Sequence, residues 1–396
     1  MSVTDSRRVL PVTRRAQLLE ALHRQGTVRI ADLVDELGVT AITLRRDIGQ
    51  LAAEGLVRRV HGGATLLPGV LPSTPEGPAP AAASTAAAEP APGPVAIDLS
   101  LGAPPTGGAL GMLVPSLDYY WPGVVRGAEE EARAGGLRVV LRGSSYAGDD
   151  ESPQLERLAA QAGVEGLLVA PNLDGPGAPA TVEWLARTPL PVVLLERSAT
   201  LGAHHGAMES VVSDHRLGAA MAVRHLVSLG HRRVAVAANR TSPTSRHVRA
   251  GWREACEDLG LPADDGLVVT LPAHDAPDWD GCVDGLVDLA ADAGVTALLV
   301  HSDPEAFAVV QRCEQRGLSV PGDLSVVSYD DEVAGLFSPA LTAVRPPRRS
   351  VGRAAVALLA ARRADPGRPV HRVVISPSLV VRDSTAPPRR LPPSGG

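Results

Sequence analysis

The chain has 396 residues, more than one compact core usually spans, and its net charge of −6 is unevenly divided. Residues 1–66 carry ten Arg against seven acidic residues, or +3, so the remainder carries −9. Three widely spaced cysteines and the complete absence of lysine exclude a disulfide scaffold and a lysine-dependent phosphate loop. No apolar leader and no stretch of ~20 apolar residues occur, so a cytoplasmic protein without membrane contact is predicted.

The first predicted domain, residues 1–66, contains three helices and a short hairpin. Apolar residues recur at the spacing of one-sided helices. The residues predicted to face the core are Leu18, Leu19, Leu22, Ile30, Leu33, Val34, Leu37, Leu44, Ile48 and Leu51. After Gly55, residues 56–61 have the pattern of a strand that Gly62-Gly63 turns back. Three helices followed by a hairpin are typical of a winged helix-turn-helix, whose third helix enters the DNA major groove.

The outward face of the third helix and the hairpin carry the residues expected to contact DNA. Guanidinium groups suit guanine or phosphate, while threonine suits phosphate or the thymine methyl group. A pair such as Arg45-Arg46 is often only a solvated face, but a basic ribbon at the distance of a wing favours DNA. The predicted contacts are Thr40, Ile42, Thr43, Arg45, Arg46, Gln50, Arg58, Arg59, His61 and Gly62.

Residues 67–108 are rich in Pro, Ala, Gly, Ser and Thr, and we predict that they form a flexible linker. From 109 to 385, short apolar strands alternate with helical patterns such as 124–133 and 217–229, which indicates an α/β domain with a parallel sheet. The predicted strands are 110–114, 137–141, 166–170, 192–195, 234–237, 267–271, 297–300 and 324–327. The Pro- and Gly-rich tail, 386–396, is predicted to be disordered.

Scarce aromatic residues follow several of these strands, where ligands of parallel sheets bind. Aromatics are only 3% of the chain, so their grouping in loops favours stacking on a flat or sugar-like ligand. The alternative roles are loop packing for the aromatics and helix capping for Asp303. The predicted ligand contacts are Tyr120, Trp121, Tyr146, Arg246, Arg249, Trp279, Ser302, Asp303 and Asp330.

No catalytic residue, metal site or cofactor is predicted. His204 and His205 are sequence neighbours whose side chains diverge, and no third ligand stands at metal spacing around them. Asp214-His215 lacks an accompanying nucleophile motif. An enzyme is therefore disfavoured. A solute-binding receptor is disfavoured as well, because the chain has a basic helix and hairpin predicted to contact DNA and no predicted signal peptide.

Two resemblances cover nearly all of the chain outside the linker and the tails. Residues 14–64 resemble the DNA-binding domain of DeoR-type bacterial regulators, on the motifs Gly26-Thr27-Val28, Thr43-Leu44-Arg45-Arg46-Asp47-Ile48 and Arg59-Val60-His61-Gly62-Gly63-Ala64. Residues 109–385 resemble the effector domain of the LacI family, which is similar to periplasmic sugar-binding proteins. The motifs of this second resemblance include Leu110-Gly111-Met112-Leu113-Val114-Pro115, Leu229-Gly230-His231-Arg232-Arg233, Ser328-Tyr329-Asp330-Asp331 and Pro339-Ala340-Leu341-Thr342.

The LacI resemblance implies a periplasmic-binding-protein-like domain of two lobes, joined by three chain crossings, that closes on a small molecule. Lobe 1 is expected at about 109–230 and 340–363, and lobe 2 at about 231–338 and 369–383. The ligand contacts that it implies are Trp121, Trp279, Ser302, Asp303 and Asp330. Where the family usually has an arginine, three residues before Gly251, this chain has Val248, and Arg246 or Arg249 is a candidate substitute.

We therefore predict a ligand-responsive bacterial transcriptional regulator, specifically a repressor of carbohydrate-utilisation genes. It is expected to bind double-stranded operator DNA as a homodimer through its N-terminal winged helix. A small sugar-like effector is expected in the C-terminal crevice. A nucleoside or purine ligand is the alternative, because aromatic side chains stack on nucleobases equally well.

Overall fold

The computed structural model describes residues 107–389, except 118, 145–148, 202–205, 275 and 293, together with three strands and six core residues before residue 67. The chain divides into two compact units, Met1–Glu89 and Pro90–Gly396. Of the predicted linker, only Gly107 and Gly108 are among the described residues.

The first unit contains a small antiparallel sheet and a set of buried helical positions. Strands β1 (Thr27–Arg29), β2 (Val57–Val60) and β3 (Gly63–Leu66) pair in the order β1-β3-β2. The buried helical residues are Leu18, Ala21, Leu22, Leu33, Leu44 and Ile48. The predicted contacts that lie outside the described residues are Thr40, Ile42, Thr43, Arg45, Arg46, Gln50, His61 and Gly62, and only the backbone of Arg58 and Arg59 is described.

The second unit is built on two sheets of six strands, which define lobe 1 and lobe 2. The strands of lobe 1 are β4 (Ala109–Val114), β5 (Arg138–Gly143), β6 (Val164–Val169), β7 (Val192–Leu195), β10 (Ser210–Ser213) and β16 (Arg372–Ile375). They are parallel and lie in the order β16-β10-β7-β6-β4-β5. A separate small hairpin joins β8 (Thr200–Leu201) to β9 (Gly206–Ala207).

Lobe 2 repeats this architecture with one antiparallel edge. Its strands are β11 (Val234–Asn239), β12 (Val268–Leu271), β13 (Ala297–His301), β14 (Ser325–Tyr329), β15 (Thr342–Arg345) and β17 (Ser378–Val380). They lie in the order β12-β11-β13-β14-β15-β17, and only the β15–β17 pair is antiparallel. The sheets are buried on both faces, so their central strands are continuous apolar runs.

Eight described helices cover the two sheets. They are α1 (Trp121–Ala134), α2 (Ser152–Ala159), α3 (Ala178–Arg187), α4 (His215–Ser228), α5 (Ser245–Asp258), α6 (Trp279–Asp292), α7 (Asp303–Gln315) and α8 (Arg348–Ala364). None of these helices is both long enough and apolar enough to cross a membrane.

Helices α1 and α8 pack with their backbones in contact, because each has a glycine at the crossing. A Cβ atom at Gly127 would lie 2.1 Å from the carbonyl oxygen of Arg349, and one at Gly352 would lie 2.0 Å from that of Val124. A backbone atom cannot move aside as a flexible side chain can. The glycines therefore let α8 cover the first sheet beside α1, and Val351 and Leu359 join the core of lobe 1 there.

The structure corrects the predicted lobe boundaries. Helix α4, expected in lobe 1, packs against α5 and against β13, β15 and β17 of lobe 2. Strand β15 pairs with β14 in lobe 2, although 340–363 was expected in lobe 1, and β16 pairs with β10 in lobe 1, although 369–383 was expected in lobe 2. The chain therefore crosses between lobes after β10, after β15 and after β16. Three crossings were expected, but each lies several residues from its predicted position.

The tail is ordered further than its composition suggested. The carbonyl oxygen of Ala386 accepts hydrogen bonds from His231 Nε2 (2.9 Å) and Ser325 Oγ (3.1 Å). The guanidinium of Arg389 donates to Asp323 (2.6 Å). The prediction of disorder from residue 386 is therefore wrong for 386–389, because lobe 2 supplies hydrogen-bond partners that composition cannot reveal.

Candidate ligand-binding site

A cavity of about 170 Å³ lies between the lobes at the carboxyl ends of the parallel strands. Lobe 1 contributes residues that follow β4 and β7, and lobe 2 contributes residues that follow β11, β13 and β14. This is the position at which open parallel sheets bind ligands. The residues that line the cavity include Tyr119, Tyr120, Trp121, Glu196, Arg197, Asn239, Thr241, Ser242, Thr244, His301, Ser302 and Asp330.

A buried network of hydrogen bonds holds Glu196 between the lobes. The Tyr120 hydroxyl donates to Oε1 of Glu196 (2.5 Å), and the amide and hydroxyl of Ser213 donate to the same carboxylate (2.9 and 2.7 Å). Nε2 of His215 lies 3.4 Å from Oε2, and its Nδ1 lies 3.1 Å from the hydroxyl of Tyr329. Because His215 and Tyr329 belong to lobe 2, this network joins the lobes through polar side chains.

The network decides the ionisation of its members. Burial alone would raise the pKa of Glu196, but the hydrogen bond and charge of His215, with the donors on Ser213 and Tyr120, lower it to about 2. Burial and the charge of Glu196 raise the pKa of Tyr120 well above its usual value. Glu196 is therefore ionised at neutral pH, and both of its oxygens are occupied by donors of the protein.

Asp303 is a structural residue in this arrangement and does not contact the cavity. Its fully buried carboxylate accepts a hydrogen bond from the hydroxyl of Ser328 (2.5 Å). The backbone amides of Glu332, Val333 and Ala334 donate to its other oxygen (2.7, 2.9 and 3.2 Å). The prediction of ligand contact at Asp303 is thus corrected: its side chain holds the loop that follows β14.

Asp330, on that same loop, faces the cavity with a carboxylate that accepts no hydrogen bond from any described residue. Burial and the nearby charge of Asp303 raise its pKa well above the ordinary value, although Arg348 opposes them. Arg348 donates to the backbone oxygen of Asp330 and pairs with Glu332 (3.0 Å), so its charge is held behind the cavity. An unsatisfied buried carboxylate is costly unless a ligand supplies donors to it.

The opposite wall is held rigid by Glu305. Its carboxylate accepts hydrogen bonds from the side-chain amide of Asn239 (2.8 Å) and from the amide and hydroxyl of Ser302 (3.0 and 2.7 Å). Asn239 in turn accepts from the backbone amide and hydroxyl of Thr241 (both 2.8 Å). Burial lowers the pKa of His301, beside Ser302, to about 4, so this ring is neutral at pH 7. Lobe 2 thus presents neutral polar groups on a fixed frame.

Backbone strain gathers around the cavity. Among the described residues, the non-glycine positions with positive φ are Tyr120 (59°), Glu196 (53°), Asp330 (90°) and Asp331 (51°). The first three line the cavity, and the fourth follows Asp330. Each such conformation costs on the order of 1–3 kcal/mol and persists only where surrounding contacts enforce it. Their grouping at one cavity indicates that the fold holds these side chains in position for a ligand.

The predicted aromatic platforms are not open surfaces. Trp121 lines the cavity but is only 2% exposed, with the Arg197 guanidinium 6.0 Å from its ring centroid. Trp279 does not line the cavity: its ring contacts that of His274 in a tilted arrangement, with centroids 3.8 Å apart and an interplanar angle of 38°. The pairing of Trp121 with Trp279 around a ligand is therefore absent from this structure. Tyr146 lies outside the described residues.

Comparison with known proteins agrees with this architecture. A model for a periplasmic binding protein-like domain matches residues 223–385, and a DeoR-like helix-turn-helix model matches 14–68. The HTH-type transcriptional regulator MalR of Streptomyces coelicolor is 31% identical over 288 residues, covering 70% of this chain and 81% of MalR. The solved structure of a LacI family transcriptional regulator from Mycobacterium smegmatis matches with a TM-score of 0.59 and 27% identity, covering 70% of this chain and 99% of that one.

This chain belongs to the LacI family of transcriptional regulators. A complex of the transcriptional regulator CelR with cellobiose matches equally well, with a TM-score of 0.59 and 27% identity over 71% of this chain and 86% of CelR. The prediction of an HTH-type regulator is therefore confirmed, and the two-lobed domain is the LacI-type effector domain.

The candidate substitutes for the LacI-family arginine do not reach this cavity. Val248 is fully buried in α5. Arg246 pairs with Asp174 (3.0 Å), and Arg249 donates to the Thr270 hydroxyl (3.4 Å). Neither arginine lines the cavity, so both predicted contacts are corrected, and Val248 does not line it either. Tyr120, Trp121, Ser302 and Asp330 are the predicted residues that the structure brings together there.

Several lining residues were missed by the sequence analysis, although a signal was available for most of them. Glu196, Asn239 and His301 stand at or just beyond the ends of strands that were predicted correctly as parallel. Their positions alone marked them as candidates. The missed residues are Glu196, Arg197, Asn239, Thr241, Ser242, Thr244 and His301.

Proposed function

We propose that this LacI-family regulator represses carbohydrate-utilisation genes and responds to a neutral, sugar-like effector bound between its lobes. The observation that carries the proposal is the Asp330 carboxylate, which faces the cavity without a donor among the described residues. A sugar presents adjacent hydroxyl groups, which suit one carboxylate as paired donors.

The charge of the cavity supports a neutral ligand over an anionic one. Arg197 is the only arginine among the described residues that line it. Its guanidinium is already engaged with the carbonyl oxygens of Pro171 (3.1 Å) and Glu196 (2.8 Å). Two carboxylates, on Glu196 and Asp330, face the same space. A phosphate group would meet these carboxylates without an uncommitted cation, whereas sugar hydroxyl groups would not be repelled.

The shape of the cavity also favours a sugar over a purine. A purine needs an open aromatic face, but Trp121 is nearly covered by the core of lobe 1 and by Arg197. The remaining wall consists of hydroxyl, amide and neutral imidazole groups, as a polyhydroxyl ligand requires. The bound cellobiose in the related CelR structure is consistent with this class of effector.

Asp330→Asn tests this role because it keeps the size of the side chain and replaces one carboxyl oxygen by an amide nitrogen, which cannot accept a hydrogen bond. The full chain is first screened by thermal shift against neutral sugars, including cellobiose and ribose, because a ligand at ~100 times its Kd stabilises by about 2.7 kcal/mol. We expect Asp330→Asn to weaken binding of the sugar that stabilises most by about 10-fold, since one acceptor for the sugar hydroxyl groups is lost and their donors are left unpaired in a buried site. Calorimetric titration measures this change.

Asp258→Asn is the matched control, because Asp258 is exposed at the end of α5 and lies 3.9 Å from Arg224. It is expected to bind the same sugar within about twofold of the parent chain. Stabilisation by nucleosides and by none of the sugars would contradict the proposal. Equal sugar affinity of the parent chain and Asp330→Asn would contradict the role of Asp330.

For the DNA-binding unit, we propose a DeoR-type winged helix-turn-helix that acts in a homodimer on paired half-sites. Leu44 and Ile48 are buried helical residues four positions apart. The helical period predicts that Arg46, between them in sequence, lies on the outward face. The described β2–β3 hairpin is the candidate wing.

Replacing Arg46 with alanine is expected to weaken specific operator binding by about 10- to 100-fold, because one bidentate base contact contributes ~1–3 kcal/mol. The operator is first selected from random DNA by the parent chain. Gel-shift titration at fixed salt then compares Arg46→Ala with Arg224→Ala, a control on α4 of the other unit. Sugar binding should be unchanged in both variants. Loss of folding in Arg46→Ala, or operator binding equal to that of the parent chain, would contradict the assignment.

A further inference from the structure

A second cavity, of about 400 Å³, adjoins the first on the side of the edge strand β16. It shares Glu196, Arg197, Pro243 and Thr244 with the first cavity. Its remaining lining comes from Ser198, from the end of β10 and the start of α4, from the start of α5 and from β16. The proposed sugar site occupies the first cavity and does not extend into the second.

The lining of the second cavity is predominantly cationic, in contrast to the first. Its basic residues are Arg197, Arg216, Arg246, Arg372, His215 and His247. Only two carboxylates line it, on Glu196 and Asp214, and both are occupied. Glu196 is held by its network with Ser213 and Tyr120, and Asp214 caps α4 by accepting from the amide of Leu217 (2.9 Å). Four guanidinium groups thus face a small volume without free acidic partners among the described lining residues.

Several of these cations are available to a ligand. The side chain of Arg372 has no hydrogen bond or ion pair with any described residue. Arg216 pairs with Glu254 and Arg246 with Asp174, but both partners are more than half exposed, so these ion pairs contribute little. An anion in the cavity could compete for both guanidinium groups at small cost.

The positive charges around the second cavity affect the pKa of the His247 imidazole. Burial lowers its pKa, and the charges of Arg246, His215, Arg216 and Arg197 lower it further. These groups come from α5 itself, from the start of α4 and from the segment after β7. An anion placed among them would favour the protonated imidazole and raise the pKa of His247.

The start of α5 adds a further positive contribution. This helix has 14 residues, no acidic residue in its first turn and no side chain that caps its N-terminus. The partial positive charge of a helix N-terminus, with amides that lack intrahelical acceptors, favours anions. Pro243, Thr244 and Arg246 bring this end of the helix to the cavity.

We propose that the second cavity binds a small phosphate-bearing metabolite. The site brings together the charges of Arg197 and Arg372 from lobe 1 and of Arg216 and Arg246 from lobe 2, with the imidazole of His247 beside them. These like charges oppose closure of the lobes, and an anion between them removes the repulsion. The anion is therefore a second effector that favours the closed conformation and, by linkage, strengthens binding in the neighbouring cavity.

The test uses the full chain, with inorganic phosphate and glycerol 3-phosphate as probes. Stability is followed by thermal shift at pH 7.5 and constant ionic strength, with chloride replaced by phosphate, and glycerol serves as the neutral match of glycerol 3-phosphate. We expect saturable stabilisation by both phosphates and none by glycerol. Arg372→Gln is expected to weaken phosphate binding by about tenfold, since one charge-assisted pair is lost. Arg224→Gln removes the same charge from the exposed face of α4 and is expected to leave phosphate binding unchanged.

A second readout separates a bound anion from general salt effects. In the chain labelled at histidine, with His247→Gln used to assign the signal, saturating phosphate should raise the pKa of His247 by about half a unit or more. Equal phosphate binding by Arg372→Gln and Arg224→Gln would overturn the proposal. An unchanged pKa of His247, or stabilisation by glycerol equal to that by glycerol 3-phosphate, would do so as well. These outcomes are independent of whether a neutral sugar binds in the first cavity.

Discussion

Asp303→Ala is expected to lower the free energy of unfolding by about 3–5 kcal/mol and to abolish sugar binding. The carboxylate is fully buried and accepts from the Ser328 hydroxyl and from the amides of residues 332–334. Alanine would leave these donors without an acceptor, and each unsatisfied buried donor costs roughly 1–3 kcal/mol. The loop that carries Asp330 would lose its anchor, so the sugar site would be lost with it.

Chemical denaturation of the parent chain and the variant at pH 7 measures the difference. Asp365→Ala is the control, because Asp365 is exposed after α8 and accepts one hydrogen bond, from the amide of Gly367 (3.1 Å). Its substitution is expected to cost about 1 kcal/mol or less. Equal losses in the two variants would refute the structural role of Asp303. Full sugar binding by a folded Asp303→Ala chain would refute the link between this residue and the Asp330 loop.

The second large effect concerns pH and Glu196. Its pKa is about 2 in the folded protein against an ordinary value of 4.5. Because the folded-state pKa is lowered, Glu196 contributes stability that is fully present above about pH 4.5 and is lost as the pH falls towards 2. A shift of this size corresponds to about 3 kcal/mol. Tyr120, Ser213 and His215 supply the donors that create it.

Glu196→Gln tests this contribution by removing the ionisable group and keeping its shape. At pH 7 the variant should be less stable than the parent chain, and the difference should shrink between pH 4.5 and pH 2. Denaturant titrations across that range measure it, with Glu254→Gln as a control, since Glu254 is exposed and pairs only with Arg216 among the described residues. If the stability of Glu196→Gln falls with acid as steeply as that of the parent chain, the buried network does not control acid stability.

The same network connects the two lobes. Glu196 follows β7 in lobe 1, whereas His215 begins α4 and Tyr329 ends β14, both in lobe 2. The chain itself crosses between the lobes directly after Ser213. A ligand that closes the lobes therefore acts beside a polar contact that already joins them, and a change in their relative position would alter these hydrogen bonds first.

Many elements of the fold were predicted from local pattern alone. The apolar run at 110–114 and the one at 234–237 were identified as buried parallel strands, and both are present as β4 and β11. Strands β10, β15, β16 and β17 were missed, and β10 and β16 show why. Ser210–Ser213 is short with serine at both ends, and Arg372–Ile375 alternates with exposed residues, so neither has the signature of a buried strand. They are strands because Val211 pairs with Val373, more than 160 residues further along the chain.

The sequence by itself determined the class of protein, the two-part organisation and the end of the sheets at which the cavity lies. These features can be predicted because periodicity and motifs depend only on residues that are close together in the chain. Only the tertiary structure decided what each polar side chain does, because its partners come from distant segments. Asp303 and Asp330 follow adjacent strands and were equivalent candidates. The amides of 332–334 occupy the carboxylate of Asp303, whereas no described donor reaches that of Asp330, and this difference separates an anchor from a proposed ligand contact.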